Sequence, residues 1–581
     1  MGLTLEAPSH ERLTALFDTP EPVPANTFEI ALVLGGTVSS GAYTAGVMDF
    51  LIEALDAWTE ARDGNDRAVP RHKTVVRVIA GTSGGGVNAA IAARALAFAF
   101  PHVSRATSAD VAAGNPFYDS WINRLRLKDM LTTEDLDAPG AMPISLLNGE
   151  TINRTASALV AFTGAKPKAR SYLGDPLRLI LTITNVTGIP YRIDFQSGPL
   201  AGGATVNLHQ SYVDHADYVR LAVVYQEKNV VLPRPDEFVL GIDEARLPQA
   251  IDWASFGEFA CATAAFPLGF PPRRLTRPLD HYRYRVASVP GDEEHPASKL
   301  VALVPDWEAI QKWAGGGLPT DYQFLAVDGG TTDNEPIELA RTTLAGVSGR
   351  NPREGMKANR GVVLIDPFAG AAEMAPQLGI TLPELVRPLV GAVLQQTRYD
   401  TRDLLLATAP EVYSRYMISA LRDGETGNLA LATAGLGAFI GFASDAFRRH
   451  DYLLGRRNCQ NFLHDTFVLP EASPVFQNCL EGVPLLEYGF NDPTGNYMPI
   501  IPLVGTARIR EALDPWPRNA LDPSIYRGPI ERRFARILEK DVASGPLSGI
   551  LAWIVAKSTE GKVADFMVKA MHEALEQWKL A

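Results

Sequence analysis

Twice near its amino end the chain runs a short, unbroken apolar stretch into a glycine-rich turn and then into a helical pattern. Phe28 to Gly35 (FEIALVLG) leads into GTVSSGAYTAG, and Thr74 to Ala80 (TVVRVIA) leads into GTSGGGVNAA. A strand buried on both faces reads this way, because in a parallel sheet covered by helices neither face meets water and polar alternation disappears. Similar runs at Leu177 to Val186, Tyr322 to Val327 and Gly361 to Asp366 alternate with helical segments such as Phe256 to Ala265. The alternation predicts an α/β domain on a mostly parallel sheet. Residues 1–26, polar and proline-punctuated, read as an arm, and residues 27–370 as the α/β domain. Residues 371–581 read as a largely helical carboxy-terminal region, from the long periodicities of LPELVRPLVGAVLQQTRYDTRDLLL and KVADFMVKAMHEALEQWKL. Within it Leu429 to Ser444, glycine-rich and free of charge, reads as a packed core helix. Around 195–215 and 285–320 the periodicity is weak, and loops or insertions are expected.

A net charge of -12 argues against nucleic acid as a partner and against general attraction to anionic lipid. Any peripheral membrane contact would then be local and apolar. Cys261, Cys459 and Cys479 show no CxxC spacing, which suits a reducing compartment and offers no disulfide framework. No apolar run reaches the roughly 18 to 20 residues that span a bilayer, and the amino end has no basic region followed by an apolar run. The expectation is a cytoplasmic protein, with peripheral membrane association left open.

Gly81-Thr82-Ser83-Gly84-Gly85 matches G-x-S-x-G and lies directly between a strand and a helix. A serine on such a sharp turn projects its hydroxyl from the sheet edge, and Gly81 and Gly85 leave room for the backbone to close up. The helix dipole favours negative charge developing there. The earlier loop, residues 34–46, is not a P-loop, since Ala42 and Tyr43 stand where Lys and Ser/Thr are required. Nor does the spacing of Gly36, Gly41 and Gly46 fit a dinucleotide loop. What remains is an oxyanion hole, with the amides of Gly36, Thr37 and Val38 as the expected donors. Asp328-Gly329-Gly330 ends the run YQFLAV and is expected to bring a carboxylate to the same carboxyl edge of the sheet. Taken singly, each motif is also an ordinary turn: serine caps helices, and Asp-Gly closes strands.

In this order the motifs resemble those of the patatin-like phospholipases: an oxyanion loop (here Gly35 to Gly41), a nucleophile elbow (Gly81 to Gly85) and a late Asp-Gly-Gly (Asp328, Gly329 and Gly330). ATAAFPLGFPP, residues 262–272, is similar to the A-S-x-A-x-P-x-x-F-P-P segment that precedes the family's aspartate. The resemblance spans roughly residues 28 to 370 and implies a three-layer α/β/α fold. It also implies a Ser83–Asp328 dyad without a catalytic histidine, no metal or organic cofactor, and a lipid acyl ester as substrate, in the manner of a phospholipase A or lysophospholipase. HDYLLGRRN, residues 450–458, resembles a segment of the carboxy-terminal extensions of bacterial patatin-like proteins. The oxyanion loop departs from the family's D-G-G-G-x-R/K-G: it reads Gly35-Gly36-Thr37-Val38-Ser39-Ser40-Gly41, with Ser40 at the basic position. Thr37 and Val38 are expected to be closed to the positive φ that glycine allows. Three alternatives stand beside the dyad. One is a Ser83–Asp366 triad completed by His450 or His464, another is acyl transfer to an alcohol, and the third is a silent lipid-binding or scaffold protein. Tyr43, Phe266 and Leu268 are candidates to line a pocket. Nothing in the sequence sets an oligomeric state.

Overall fold

A computed structural model of the chain describes residues 6–195, 208–226, 233–242, 250–289, 299–347, 351–369, 409, 411–544 and 561–581. The main sheet contains β1 (Thr27–Leu34), β2 (Lys73–Gly81), β3 (Leu173–Phe195), β4 (Leu208–Val224), β5 (Glu237–Gly241), β6 (Arg273–Pro278), β7 (Asp321–Asp328), β8 (Arg360–Ile365) and β9 (Arg415–Ile418). Its order is β9-β8-β1-β2-β3-β7-β6, with β4 also paired to β3 and β5 paired to β4. From β9 through β3 every pairing is parallel. Both faces of β1 are buried: Phe28, Ile30, Leu32 and Leu34 join one core, Ala31 and Val33 another. That is the physical content of the unbroken apolar run in the sequence.

The smaller core lies under α6 (Ile337–Ala345), whose Ile337, Ala340 and Leu344 pack on Val33, Val78 and Val362. The larger core lies under α2 (Gly41–Asp63), α3 (Ser83–Ala95), α4 (Glu150–Val160) and α5 (Trp253–Thr263). The result is a mixed, mostly parallel sheet between helical layers, the α/β/α architecture read from the sequence.

Several expectations are corrected. The strand ending at Asp328 does not run with the parallel set: β7 is antiparallel to β3, with Asp328 opposite Ile183. Because β3 continues well beyond Leu181, its last residue paired with β2, β7 pairs with the overhang and descends onto the sheet edge from the far side. The arm contains α1 (His10–Phe17), whose Leu13 and Phe17 pack against Tyr284 and Leu300. Strands appear where loops were expected, in the hairpin Val286–Val289 with Lys299–Ala302 and in the first residues of β4.

The carboxy-terminal region is helical in part. It holds α7 (Asp445–Asp465), α8 (Arg527–Ser544) and α9 (Lys562–Gln577), but also β9 of the main sheet and a small sheet of Val468–Pro470, Gly495–Pro499 and Phe490–Asp492. The helical periodicity at 382–406 lies outside the described residues. Leu429 to Ser444 is not a helix. It makes only short 3-10 turns at Gly427–Ala430 and Ile440–Ala443, with Leu436, Gly437 and Ala438 all at positive φ between them. Left-handed residues in succession cannot continue a right-handed helix.

α7 packs along α2, and the two meet glycine to backbone. A Cβ on Gly46 would overlap the Tyr452 carbonyl, and one on Gly455 would overlap the Tyr43 carbonyl. Between them lies a buried network in which Arg456 donates to Asp49, Glu53 and Glu511 at 2.5, 2.6 and 2.6 Å. Tyr452, His102 and Asn115 also bond to Asp49. Burial alone would raise the Asp49 carboxyl, but Arg456 and His102 together hold it well below its ordinary value.

Candidate active site

β2 ends at Gly81 and α3 begins at Ser83, so the elbow is as tight as the motif requires. Ser83 itself takes φ 53°, a left-handed conformation that a side chain adopts only under constraint. The glycines around it are sites of close approach. A Cβ on Gly85 would meet the Leu34 and Gly35 carbonyls, and one on Gly81 would lie 2.7 Å from the Gly85 carbonyl. The Ser83 amide donates to Thr263 Oγ1 at 3.0 Å.

The Ser83 hydroxyl donates to Asp328 Oδ2 at 2.5 Å across 245 residues of sequence. The carboxylate is fixed on its other side by the Gly330 amide, which donates to Oδ1 at 2.8 Å. Its backbone is fixed too: the Asp328 amide donates to the Ala265 carbonyl at 2.9 Å, and Thr184 Oγ1 donates to the Asp328 carbonyl at 2.9 Å. Thr263 and Ala265 both belong to the proline-rich segment, which thus buttresses both members of the pair. Burial pushes the Asp328 carboxyl up to about 7, while the bonds from Ser83 and Gly330 restrain the rise.

Among the described residues no histidine bonds to Ser83 or Asp328. His450 bonds to Asp451 and stands edge-on to Trp516, His464 pairs with Asp465 at the surface, and Asp366 caps Phe368.

The loop after β1 folds over the elbow. A Cβ on Gly84 would overlap Thr37 Oγ1 and lie 3.0 Å from the Val38 carbonyl. Contrary to expectation, Val38 does adopt a positive φ, 49°, while Thr37 stays at -137°. For a β-branched residue this is strained and needs the surrounding structure to hold it. The Gly35 amide donates to the Ile365 carbonyl, the Gly36 amide to Asn334, the Ser40 amide to Thr37 and the Gly41 amide back into its own turn. Among the described residues the amides of Thr37, Val38 and Gly84 have no such partner. Gly35, Gly36 and Gly41 therefore shape the loop, and the open donors fall to Thr37, Val38 and the start of α3.

Two residues that the sequence did not single out join the elbow to this loop. Asn88 Nδ2 donates to the Gly41 carbonyl at 2.9 Å and to the Gly84 carbonyl at 3.1 Å, and Trp121 Nε1 donates to Asn88 Oδ1 at 2.9 Å. The Trp121 ring fills the space that a Cβ on Gly41 would need. Trp121 sits in a π-helical turn, Asp119–Arg124, a distortion that re-aims side chains and recurs at functional sites. Asn88 falls one turn after Gly84 on α3, a spacing visible in sequence but carrying no signal without its partners.

An apolar pocket opens at Ser83. Val38, Val87, Ile91, Ile152, Phe266 and Phe270 are among its walls, and Phe439 and Phe442 close it from the carboxy-terminal region. Of the three residues proposed to line it, Phe266 does, Leu268 is exposed, and Tyr43 is buried elsewhere with its hydroxyl on Asn458.

A sequence model of the patatin-like phospholipase family matches residues 32–198, from β1 through the elbow into β3. Along nearly its whole length the chain is also similar to a protein of Sinorhizobium fredii described as uncharacterized protein y4iI. The identity is 31% over 574 residues, covering 90% of this chain and 76% of that protein. The chain belongs to the patatin-like phospholipase family. Asp328 lies outside the span of the family match, so its place beside Ser83 rests on the geometry alone. No helix among the described residues of this patatin-like protein is long and apolar enough to cross a membrane.

Proposed function

We propose that this chain is a serine hydrolase of lipid acyl esters, with Ser83 as nucleophile and Asp328 as its base. The observation that carries the reading is the short, buried hydrogen bond from Ser83 to Asp328 at the mouth of an apolar pocket. An acyl chain would lie along the pocket with its ester carbonyl over Ser83. Asp328 takes the hydroxyl proton, the oxygen attacks the carbonyl carbon, and the amides of Thr37 and Val38 receive the oxyanion. Asp328 returns its proton to the departing alcohol oxygen. It then draws a proton from water as the water attacks the acyl-enzyme, and passes that proton to Ser83 Oγ as the acyl–oxygen bond breaks and the fatty acid leaves. A carboxyl held at about 7 is suited to both directions of transfer at neutral pH. Substrate would arrive at a lipid surface, where Leu268, Met142 and Ile144 offer exposed apolar side chains; the Leu146 amide bonds to the Leu268 carbonyl, which brings these loops together.

The test is labelling with a fluorophosphonate probe alongside release of nitrophenol from a short-chain ester. Wild type should label and turn over, Ser83→Ala should do neither, and Asp328→Asn should lose turnover by about 10²-fold or more. A folded wild type that neither labels nor turns over would leave a lipid-binding protein in place of an enzyme.

A further inference from the structure

The turn that presents the oxyanion amides has no basic side chain to anchor it, and Val38 within it is strained, so something else must hold it. Both serines that follow are captured by the glycine-rich segment of the carboxy-terminal region. Ser39 donates through its amide and its hydroxyl to the Ala438 carbonyl. Ser40 Oγ lies 2.7 Å from Thr433 Oγ1, which in turn donates to Asp451 Oδ2 at 2.6 Å. Thr433 has a single hydroxyl proton, and the carboxylate takes it. The Thr433 oxygen therefore accepts from Ser40, and the chain runs in one direction from Ser40 to Asp451. Asp451 also receives the amides of Ala432 and Thr433 at 3.0 and 2.9 Å and the His450 ring at 2.8 Å. Ser40, Thr433 and Asp451 are fully buried, where water cannot substitute for a missing partner.

We infer that Asp451, acting through Thr433 and Ser40, is the positioning residue of the oxyanion loop, so that a carboxy-terminal helix sets the geometry of amides near the other end of the chain. The inference rests on the hydrolase reading for its kinetic consequence but not for its structural one. Arg448, one turn before Tyr452 on the same helix, supports the arrangement by donating to the Trp121 and Ile122 carbonyls and to Gly441 and Ser444. One helix thus holds both the loop and the tryptophan wedged beneath it.

The experiment uses the full chain carrying Ser40→Ala, Thr433→Val, the double variant and Thr433→Ser, since Asp451→Asn would disturb several buried donors at once. Hydrogen–deuterium exchange of the peptide covering residues 35–43 is read beside kcat and KM on a short-chain nitrophenyl ester. Thr433→Val should expose that peptide to faster exchange and lower kcat about tenfold with KM nearly unchanged, a fraction of what deleting an oxyanion donor does. The double variant should be no worse than either single one, and Thr433→Ser should restore both readouts. Unchanged exchange in Thr433→Val overturns the proposal whether or not the wild type is active, as does a loss spread evenly over kcat and KM with a lowered melting point. An inactive wild type with faster loop exchange in Thr433→Val would sink the hydrolase reading and leave the positioning role standing.

Discussion

Asp328 shows how burial makes a weak acid useful. An exposed aspartate at its ordinary 3.8 would hold a proton too loosely to shuttle it at neutral pH, whereas this one titrates at about 7. On the proposed mechanism kcat/KM should rise with pH through about 7 as Asp328 loses its proton, which a pH–rate profile on the nitrophenyl ester checks. The same shift works against folding. In the unfolded chain the carboxyl deprotonates first, so its burial has no effect below about pH 4 and subtracts stability as pH climbs toward 7, on the order of 4 kcal/mol in all. Asp328→Asn escapes this penalty and can still meet Gly330 with its oxygen and Ser83 with its amide. The variant should match wild type in thermal stability at about pH 3.5 and exceed it at pH 8.

At the scale of elements, the contact that matters most is α7 on α2. Helices pass this closely only where glycine faces backbone, and Gly46 and Gly455 supply such faces in both directions. Charge locks the crossing. Arg456 on α7 reaches Asp49 and Glu53 on α2 and Glu511 beyond, all with little exposure to water. A buried pair need not stabilise more than apolar packing would, but breaking one strands the partners. Arg456→Met should lower unfolding stability by about 3–5 kcal/mol, measured by denaturant titration. Glu511, already raised chiefly by its burial, would move further up and Asp49 would lose the cation that holds it down.

At the scale of the whole molecule, the carboxy-terminal part and the α/β part share one sheet and one core. β9 extends the parallel sheet past β8, and Leu453, Leu454 and Phe442 belong to the same hydrophobic cluster as β1 and α2. A chain ending at residue 370 would bare the edge of β8 and the outer face of α2. It is expected to be insoluble or to lack cooperative melting, and to fail to label with the fluorophosphonate, as circular dichroism and gel fluorescence would show.

Much of this was legible in the residues. Two strand–turn–helix units, the serine at the elbow and the aspartate before two glycines follow from rules that act over a few residues: an apolar run with no polar face must be buried twice, and a turn this sharp admits only small neighbours. The sequence determined those local forms and the order in which they occur. Tertiary structure alone decided the rest. It decided that β7 comes back against the parallel set, because strand direction depends on where β3 overhangs and not on β7's own residues. It put Val38 at positive φ, in a loop whose Ser39 and Ser40 bond to Ala438 and Thr433. A charge-free segment whose composition reads as a helix became an irregular wall, because Asp451 and Arg448 satisfy its backbone from outside. It set Asp328 near 7, since the cost of a buried charge depends on everything packed around it.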